Sequence, residues 1–247
     1  MAGPHARSGR DRPPSDGAGG GWHAFANLTV PGFAWEFLRR NPEYRSEFGS
    51  RGARIDQRWG LRFPVDPQLS AENADVFWRA EIAPGIVLPI IGDGHQAAKR
   101  LQEKQIAGGP RQADDGVHLR LVAGLQLLVQ RATPPPGPVL VVLSLDQDFG
   151  VRVRAVEALD RVVRGRAAPK SRLTMAQRAR LARSLVALDG AERHESYRDI
   201  ARSVFGHDRV DRETWRTASI RDATIRLVRS GRNLMRGGYL KLLRDGL

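Results

Sequence analysis

The sequence SIRDATIRLVRSGRNLM, residues 219–235, decides how the C-terminal region of the chain folds. At the helical rotation of about 100° per residue, its apolar and small side chains fall on one arc. This arc comprises Ile220, Ala223, Thr224, Leu227, Val228, Gly231, Leu234 and Met235. The opposite arc comprises Arg221, Arg226, Arg229, Arg232 and Arg236 with Asp222 and Asn233, and Ile225 interrupts it. The pattern predicts a long helix that buries one face and exposes a cationic one.

This cationic face has two interpretations. It suits the major groove of DNA, where guanidinium groups bond to guanine edges, and the alternative is a helical bundle whose charged face is only solvated. The charge distribution favours DNA, because residues 151–247 hold 23 basic and 11 acidic side chains, whereas residues 1–150 hold 17 and 16. Ile225 would then meet either a thymine methyl group or a neighbouring protein surface.

Two shorter amphipathic helices are predicted before the basic one, and all three helices follow an N-cap pattern. The paired cap residues are Thr174 with Gln177, Ser196 with Asp199, and Ser219 with Asp222. The first helix has its apolar residues within 181–188 and is expected to end at Asp189-Gly190, since glycine favours a C-cap. The second helix carries apolar residues at three- and four-residue steps along one face and is expected to end at Gly206. They are Tyr197, Ile200, Ala201, Val204 and Phe205.

The order helix, short helix, turn and basic helix is that of a helix-turn-helix, whose last helix lies in the DNA groove. The connection over residues 206–218 is 13 residues long, which exceeds the usual turn of three or four. We therefore expect an additional helical turn over residues 210–215. The groove-contacting element then begins near either Val210 or Ser219.

The first 80 residues are rich in aromatic side chains. Residues 1–21 combine Gly, Pro, Arg and Asp without periodicity, which predicts a disordered tail. A short helix is predicted from Pro31 to Asn41-Pro42. Four tryptophans of this region form either a small core or a docking surface. They are Trp22, Trp35, Trp59 and Trp78.

The middle of the chain has the pattern of β-strands. Short apolar runs occupy residues 86–91, 117–121, 125–129 and 139–143, and the proline-rich stretch 134–138 separates the last two. These runs predict a small antiparallel sheet. Apolar residues at three- and four-residue steps between Phe149 and Val163 then predict a helix that leads into the basic region.

The composition excludes several classes of protein. The 40 Lys and Arg exceed the 27 Asp and Glu, giving a net charge of +13 that predicts a polyanionic partner. The absence of cysteine excludes disulfides, thiolate metal sites and a cysteine nucleophile. The longest mostly apolar run, residues 82–91, is too short to span a bilayer, and no secretory signal is readable. We expect a soluble, cytoplasmic protein.

Signals for catalysis are weak. Residues 92–95 and the pair Asp114-Asp115 with His118 come nearest to an acid-base or metal constellation, but neither has metal-ligand spacing. Phosphate-binding Walker loops, nucleophile elbows and His-Glu-x-x-His motifs do not occur in the sequence. We therefore expect no enzyme, no cofactor and no metal.

Two parts of the sequence resemble known families. The stretch FAWEFLRRNPEYR, residues 33–45, resembles the opening motif of the proteobacterial transcriptional regulator-like N-terminal domain. The C-terminal region contains the pieces Leu188-Asp189-Gly190, residues 197–201, Phe205-Gly206, Gly231-Arg232, Gly237-Gly238-Tyr239 and Leu242-Leu243. With these pieces it resembles the DNA-binding domain of RovC-type regulators, which are associated with type VI secretion genes or with mobile-element transfer. The resemblance covers residues 22–80 and 150–247.

The resemblance implies a bacterial transcription factor that acts on promoter DNA through a C-terminal helix-turn-helix, as an activator. It also implies an alternative, because some short relatives resemble antiactivators that bind a partner regulator instead of DNA. On the first interpretation, the DNA-contacting residues are arginines of the basic helix and of the connection before it. They are Arg212, Arg216, Arg221, Arg226, Arg229, Arg232 and Arg236. Gly237-Gly238-Tyr239 is then structural.

Together these observations predict an α+β protein with four segments. They are a disordered tail over 1–21, an aromatic-rich regulator-like domain over 22–80, a β-rich region over 81–148 and an all-helical DNA-binding domain over 149–247. Because bacterial operators usually match oligomeric proteins, a homo-oligomer is expected, with the sheet and the N-terminal aromatic residues as candidate interfaces. Promoter DNA in the nucleoid, RNA polymerase and another regulator are the expected partners, and no membrane is expected.

Overall fold

The computed structural model describes residues 21–51, 54–92, 101–122, 124–130, 139–166, 173–212, 215 and 219–245. The helices are α1 Val30–Leu38, α2 Pro42–Arg51, α3 Phe149–Val163, α4 Met175–Glu192, α5 Tyr197–Phe205, α6 His207–Asp211, α7 Ser219–Asn233 and α8 Tyr239–Asp245. The strands are β1 Val87–Gly92, β2 Ile106–Ala113, β3 Gly116–Leu121, β4 Gln126–Val129 and β5 Val139–Val141. The predicted α+β class is confirmed. The predicted tail, the proline-rich stretch and Arg216 lie outside the described residues, apart from Gly21.

The five strands form one sheet in the order β2-β3-β4-β1-β5. The sheet is mostly antiparallel, as predicted, and the pair of β1 with β4 is parallel. Strand β2 was not predicted, because Gly108, Gly109 and Pro110 interrupt its sequence. A register shift between Ala107 and Arg111 accommodates these residues at the edge of the sheet.

Helix α3 covers one face of the sheet. Its residues Ala155, Ala158, Leu159 and Val162 are buried in one cluster with apolar residues from the strands. Those strand residues are Leu88, Ile90, Leu119, Leu121, Leu127 and Val129. The predicted helix over residues 149–163 is therefore confirmed, and its apolar stripe is the one that packs.

A second apolar core joins the start of the chain to its end. Three of the four N-terminal tryptophans, Trp35, Trp59 and Trp78, are buried in it, while Trp22 is partly exposed and packs against it. Residues from α4 and the C-terminal helices complete this core. They are Ala182, Leu185, Leu188, Met235, Tyr239 and Leu243. The tryptophans thus form a core, and the division of the chain into the four predicted segments stays a prediction.

The predicted end of the first C-terminal helix is wrong. Helix α4 continues to Glu192 and ends at Arg193, whereas the sequence predicted an end at Asp189-Gly190. Gly190 is buried inside the helix, and a Cβ there would lie 2.8 Å from both Glu195 Oε2 and Ile200 Cγ1. Its glycine therefore permits the close approach of α5 and does not terminate the helix.

No helix in the described ranges is long and apolar enough to cross a membrane.

Candidate nucleic-acid interface

Helix α7 buries the face that the sequence predicted. Its buried residues are Ile220, Thr224, Leu227, Val228 and Gly231. The hydroxyl of Thr224, the one polar group in this row, donates to the carbonyl of Ile220 at 2.8 Å. The buried face therefore contains no unsatisfied hydroxyl that would loosen the packing of the helix.

Helix α4 crosses α7 at very short range. A Cβ added to Gly231 would lie 2.6 Å from the carbonyl oxygen of Ser184 and 3.0 Å from Leu188 Cβ. Only a residue without a side chain fits between the two backbones at this crossing. The contact fixes the position of α7 on the rest of the protein.

Helices α5 and α6 complete the support of α7. Ile200 and Val204 of α5 share a buried cluster with Leu227 and Val228. Val210 of α6 shares another with Ala201 and Ile220, against which Trp215 packs. A short helix does follow Gly206, but α6 spans His207–Asp211 and overlaps the turn predicted over residues 210–215 only at residues 210 and 211. Residues 213 and 214 lie outside the described part of the chain.

The exposed face of α7 and the turn after it, residues 234–238, carry arginines that have no protein partner among the described residues. Arg226, Arg229 and Arg236 are exposed and Arg232 is partly exposed. Within the described part of the chain, these four make no side-chain hydrogen bond or ion pair. Arg221 is exposed as well, with Nη1 3.6 Å from Asp222 Oδ1. An anionic ligand could therefore bind these guanidinium groups without first breaking an ion pair within the described protein.

Arginines on the neighbouring helix behave differently. Arg198 and Arg202 of α5 donate to Asp211 Oδ1 at 3.3 and 2.8 Å, which ties α5 to α6. The hydrogen bond from Arg202 keeps the pKa of Asp211 below its ordinary value. These two arginines are bonded to the protein's own carboxylates. Only part of the positive charge of this region is therefore available to an external anion.

Arg212 lies in the sequence between the arginines of α5 and those of α7. Its side chain is exposed, and Nε donates to the carbonyl of Asp208 at 2.9 Å. The structure thus places Arg221, Arg226, Arg229 and Arg232 on α7, Arg236 in the turn that follows it, and Arg212 at the end of α6. Arg216 falls in residues 216–218, outside the described part, and DNA contact by all seven stays a prediction.

The C-terminal end of α7 is anchored to the N-terminal helices. A π-helical turn, Leu234–Gly238, follows α7, and Gly237 adopts φ 127° there. The amide of Asn41 donates to the carbonyl of Met235 at 3.1 Å, and the hydroxyl of Tyr239 donates to the carbonyl of Trp59 at 3.0 Å. Sequence reasoning assigned Asn41 only to a helix end and did not find this contact.

Arg40 joins the N-terminal helices to α4. Its side chain is 8% exposed and donates from Nε and Nη2 to the Asp189 carboxylate at 2.6 and 2.9 Å. Nη1 donates to the carbonyl of Glu36 at 2.7 Å and also to its carboxylate. Burial opposes the charge, yet the bonds and attraction of Asp189 and Glu36 raise the pKa of Arg40. The guanidinium therefore stays charged inside the protein.

The weak catalytic signal at Asp114-Asp115 and His118 has a structural explanation, whereas residues 93–95 of the other signal lie outside the described residues. Arg62 forms ion pairs with Asp114 and Asp115, and His118 Nε2 lies 2.9 Å from Asp115 Oδ1. His118 is buried beside Phe63 and Phe77. Among the described residues, no group of three His, Asp or Glu side chains could hold a metal ion.

Two parts of the chain match known protein-family models. Residues 142–244 match the RovC family model, described as the DNA-binding domain of a type VI secretion transcription factor. Residues 22–64 match the proteobacterial transcriptional regulator-like domain. The two matched domains are those of a DNA-binding transcriptional regulator. The RovC match contains α3 to α7 and most of α8, including the basic face, and the regulator-like match contains α1 and α2. No characterised protein matches the chain.

Proposed function

We propose that this protein is a sequence-specific regulator, an activator, that binds promoter DNA with α7 as the recognition helix. Helices α5 and α7, with α6 in the connection, form the helix-turn-helix, and α4 supports them. The observation that carries this proposal is the difference between the arginines. Those on α5 are paired with carboxylates, whereas Arg226, Arg229 and Arg232 on α7 and Arg236 in the turn after it have no partner among the described residues.

Phosphate contacts from this face supply most of the affinity, and two or three arginines bond to guanine edges in the major groove. Ile225, partly buried on the same helix, lies next to these arginines in sequence. A homo-oligomer binds the operator, RNA polymerase or another regulator is the protein partner, and the protein acts in the cytoplasm without catalysis. Residues 142–244 and 22–64, which match regulator families, support this assignment.

The antiactivator alternative needs a protein-docking surface. Aromatic anchors are typical of such surfaces. Trp35, Trp59 and Trp78 are buried, so only Trp22 of the four N-terminal tryptophans is accessible. Their burial favours DNA over a partner regulator.

The double variant Arg226→Ala/Arg229→Ala tests the proposed interface. We expect operator affinity to fall by at least about tenfold, because each base or phosphate that the variant no longer binds costs roughly 1 kcal/mol or more. The salt dependence is also expected to decrease, by about 0.9 in the slope of log K for each phosphate that is no longer neutralised. Fluorescence anisotropy with a labelled operator duplex measures both quantities.

The matched control is Arg154→Ala/Arg161→Ala, which removes the same charge from exposed positions on α3. We expect this control to retain nearly full affinity at moderate salt, where distant charges are screened. Equal losses in the two double variants would contradict a DNA interface on α7. Retention of a partner regulator in a pull-down by the α7 variant would support the antiactivator alternative.

A further inference from the structure

Arg183 of α4 carries a positive charge that aromatic rings hold in place. Its guanidinium lies over Trp22, with the central carbon 4.6 Å from the ring centre, and the same carbon is 5.9 Å from the ring centre of Phe205. Its Nε is buried without a hydrogen-bond partner, and no described residue forms an ion pair with the side chain. Aromatic faces attract a guanidinium but accept few of its five N–H donors. The side chain is partly exposed, so an anion from outside the protein can reach it.

Arg120 of β3 provides a comparison within the same chain. Among the described residues, Arg120 and Arg183 are the two arginines whose Nε is buried without a partner. Nη2 of Arg120, however, donates to the carboxylate of Asp75. Arg120 therefore has a counter-ion inside the protein, whereas the described part of the chain supplies none for Arg183. A partly buried charge of this kind is stabilised when an external anion bonds to it.

A second guanidinium lies against the same aromatic ring. Arg209 of α6 is exposed, with its central carbon 5.7 Å from the ring centre of Phe205. Its side chain makes no hydrogen bond or ion pair within the described ranges, although Asp208 precedes it in the sequence. Two positive charges beside one ring repel each other, and an anion that bonds to both relieves this repulsion. We call Trp22, Arg183, Phe205 and Arg209 the Phe205 cluster.

The Phe205 cluster is connected to the crossing of α4 with α7. Ser184, which follows Arg183, has its carbonyl oxygen at this crossing, 2.6 Å from the position of a Cβ on Gly231. Arg232 follows Gly231 on α7. Arg183 and Arg232 are therefore each one residue from the same crossing, on two different helices. Because phosphates line both sides of the major groove, a duplex that receives α7 brings its backbone close to α4.

We propose that the Phe205 cluster binds the phosphate backbone of the DNA duplex that α7 contacts. Arg183 and Arg209 donate to phosphate oxygens, and the two aromatic rings orient the guanidinium groups without touching a base. The family match over residues 142–244, that of a DNA-binding domain, contains both arginines, which favours DNA over other polyanions. This inference rests on the proposed function and extends the interface from α7 to α4 and α6.

The double variant Arg183→Met/Arg209→Gln tests the proposal. Methionine retains an apolar stem against Trp22 and removes the charge. Fluorescence anisotropy compares binding to the DNA upstream of the gene with binding to a shuffled duplex of equal length. Because phosphate contacts do not depend on base sequence, we expect both affinities to fall by the same factor, about tenfold, and their ratio to stay unchanged. The slope of log K against log salt should become shallower by about 0.9 for each phosphate contact that is lost.

Arg154→Met/Arg161→Gln makes the same two replacements at exposed positions of α3 and is the matched control. Affinities equal to those of this control would overturn the proposal, and so would a loss confined to the upstream duplex, which would indicate base contacts. If the double variant fails to fold, Arg209→Gln alone, at an exposed position, should still weaken binding to both duplexes, and an unchanged salt slope would overturn the proposal. An unmodified chain that bound neither duplex would instead contradict the proposed function itself.

Discussion

Replacing Arg40 with methionine is expected to lower the free energy of unfolding by about 3 to 5 kcal/mol. The substitution leaves the Asp189 carboxylate without its guanidinium partner, whereas the Glu36 carboxylate, only 2% exposed, loses Arg40 and keeps Arg39 and the N–H of Ala71. Removing one partner of a buried ion pair is costly because the remaining charges stay desolvated. Urea unfolding followed by circular dichroism measures the loss.

The matched control for Arg40 is Arg164→Met on α3. Arg164 also bonds to a carboxylate, that of Asp160, but both side chains are more than 40% exposed. Exposed pairs contribute less than about 1 kcal/mol, so we expect little change in this variant. If Arg40→Met were as stable as Arg164→Met, the buried network would not hold α4 against the N-terminal helices.

Replacing Gly231 with alanine is expected to destabilise the protein by about 3 kcal/mol and to weaken DNA binding at the same time. The new Cβ would lie 2.6 Å from the backbone carbonyl oxygen of Ser184, so α4 and α7 would have to move apart. Because a backbone atom cannot rotate away as a side chain can, the helices must take up the whole displacement. Urea unfolding and operator binding report the two effects separately.

Gly49→Ala is the control for this substitution. Gly49 lies in helix α2, where a Cβ would meet nothing within 4 Å. Alanine should therefore stabilise α2 by up to about 1 kcal/mol, since glycine is the weaker helix former. A Gly231→Ala variant as stable as Gly49→Ala would show that the crossing of α4 and α7 is looser than the structure indicates.

Local sequence patterns predicted the elements that depend on neighbouring residues. The buried and exposed faces of α7, the caps at Thr174 and Ser196, and the end of α5 at Gly206 all follow from spacing and are observed. Strand β2 does not follow from spacing, because its Gly and Pro residues are tolerated only at a sheet edge. Its position in the sheet depends on pairing with β3 and cannot be read from its own composition.

Contacts between distant parts of the chain were the features that sequence reasoning missed. Arg40 and Asp189 are 149 residues apart, and Asn41 and Met235 are 194 residues apart. Neither pair has a signal in its local sequence, and the motif at residues 33–45 indicated only a family resemblance. The motif in fact supplies the groups that hold α4 and the end of α7. The regulator-like region thereby positions the proposed recognition helix.

The sequence also could not distinguish arginines that are bonded to carboxylates of the protein from arginines that are not. Arg202 and Arg229 count equally toward the net charge, yet Arg202 bonds to Asp199 and Asp211. Arg229 has no such partner among the described residues. This distinction depends on the packing of α6 against α5, and it narrows the proposed interface to α7 and its flanks.

The most direct test of the account is binding of the purified full chain to the DNA upstream of its own gene and to a shuffled duplex. Fluorescence anisotropy at several salt concentrations gives the affinity for each. We expect a clear preference for the upstream duplex, with log K falling by about 0.9 per bound phosphate as log salt rises. Equal or negligible binding of the two duplexes at physiological salt would contradict a sequence-specific DNA-binding role for α7.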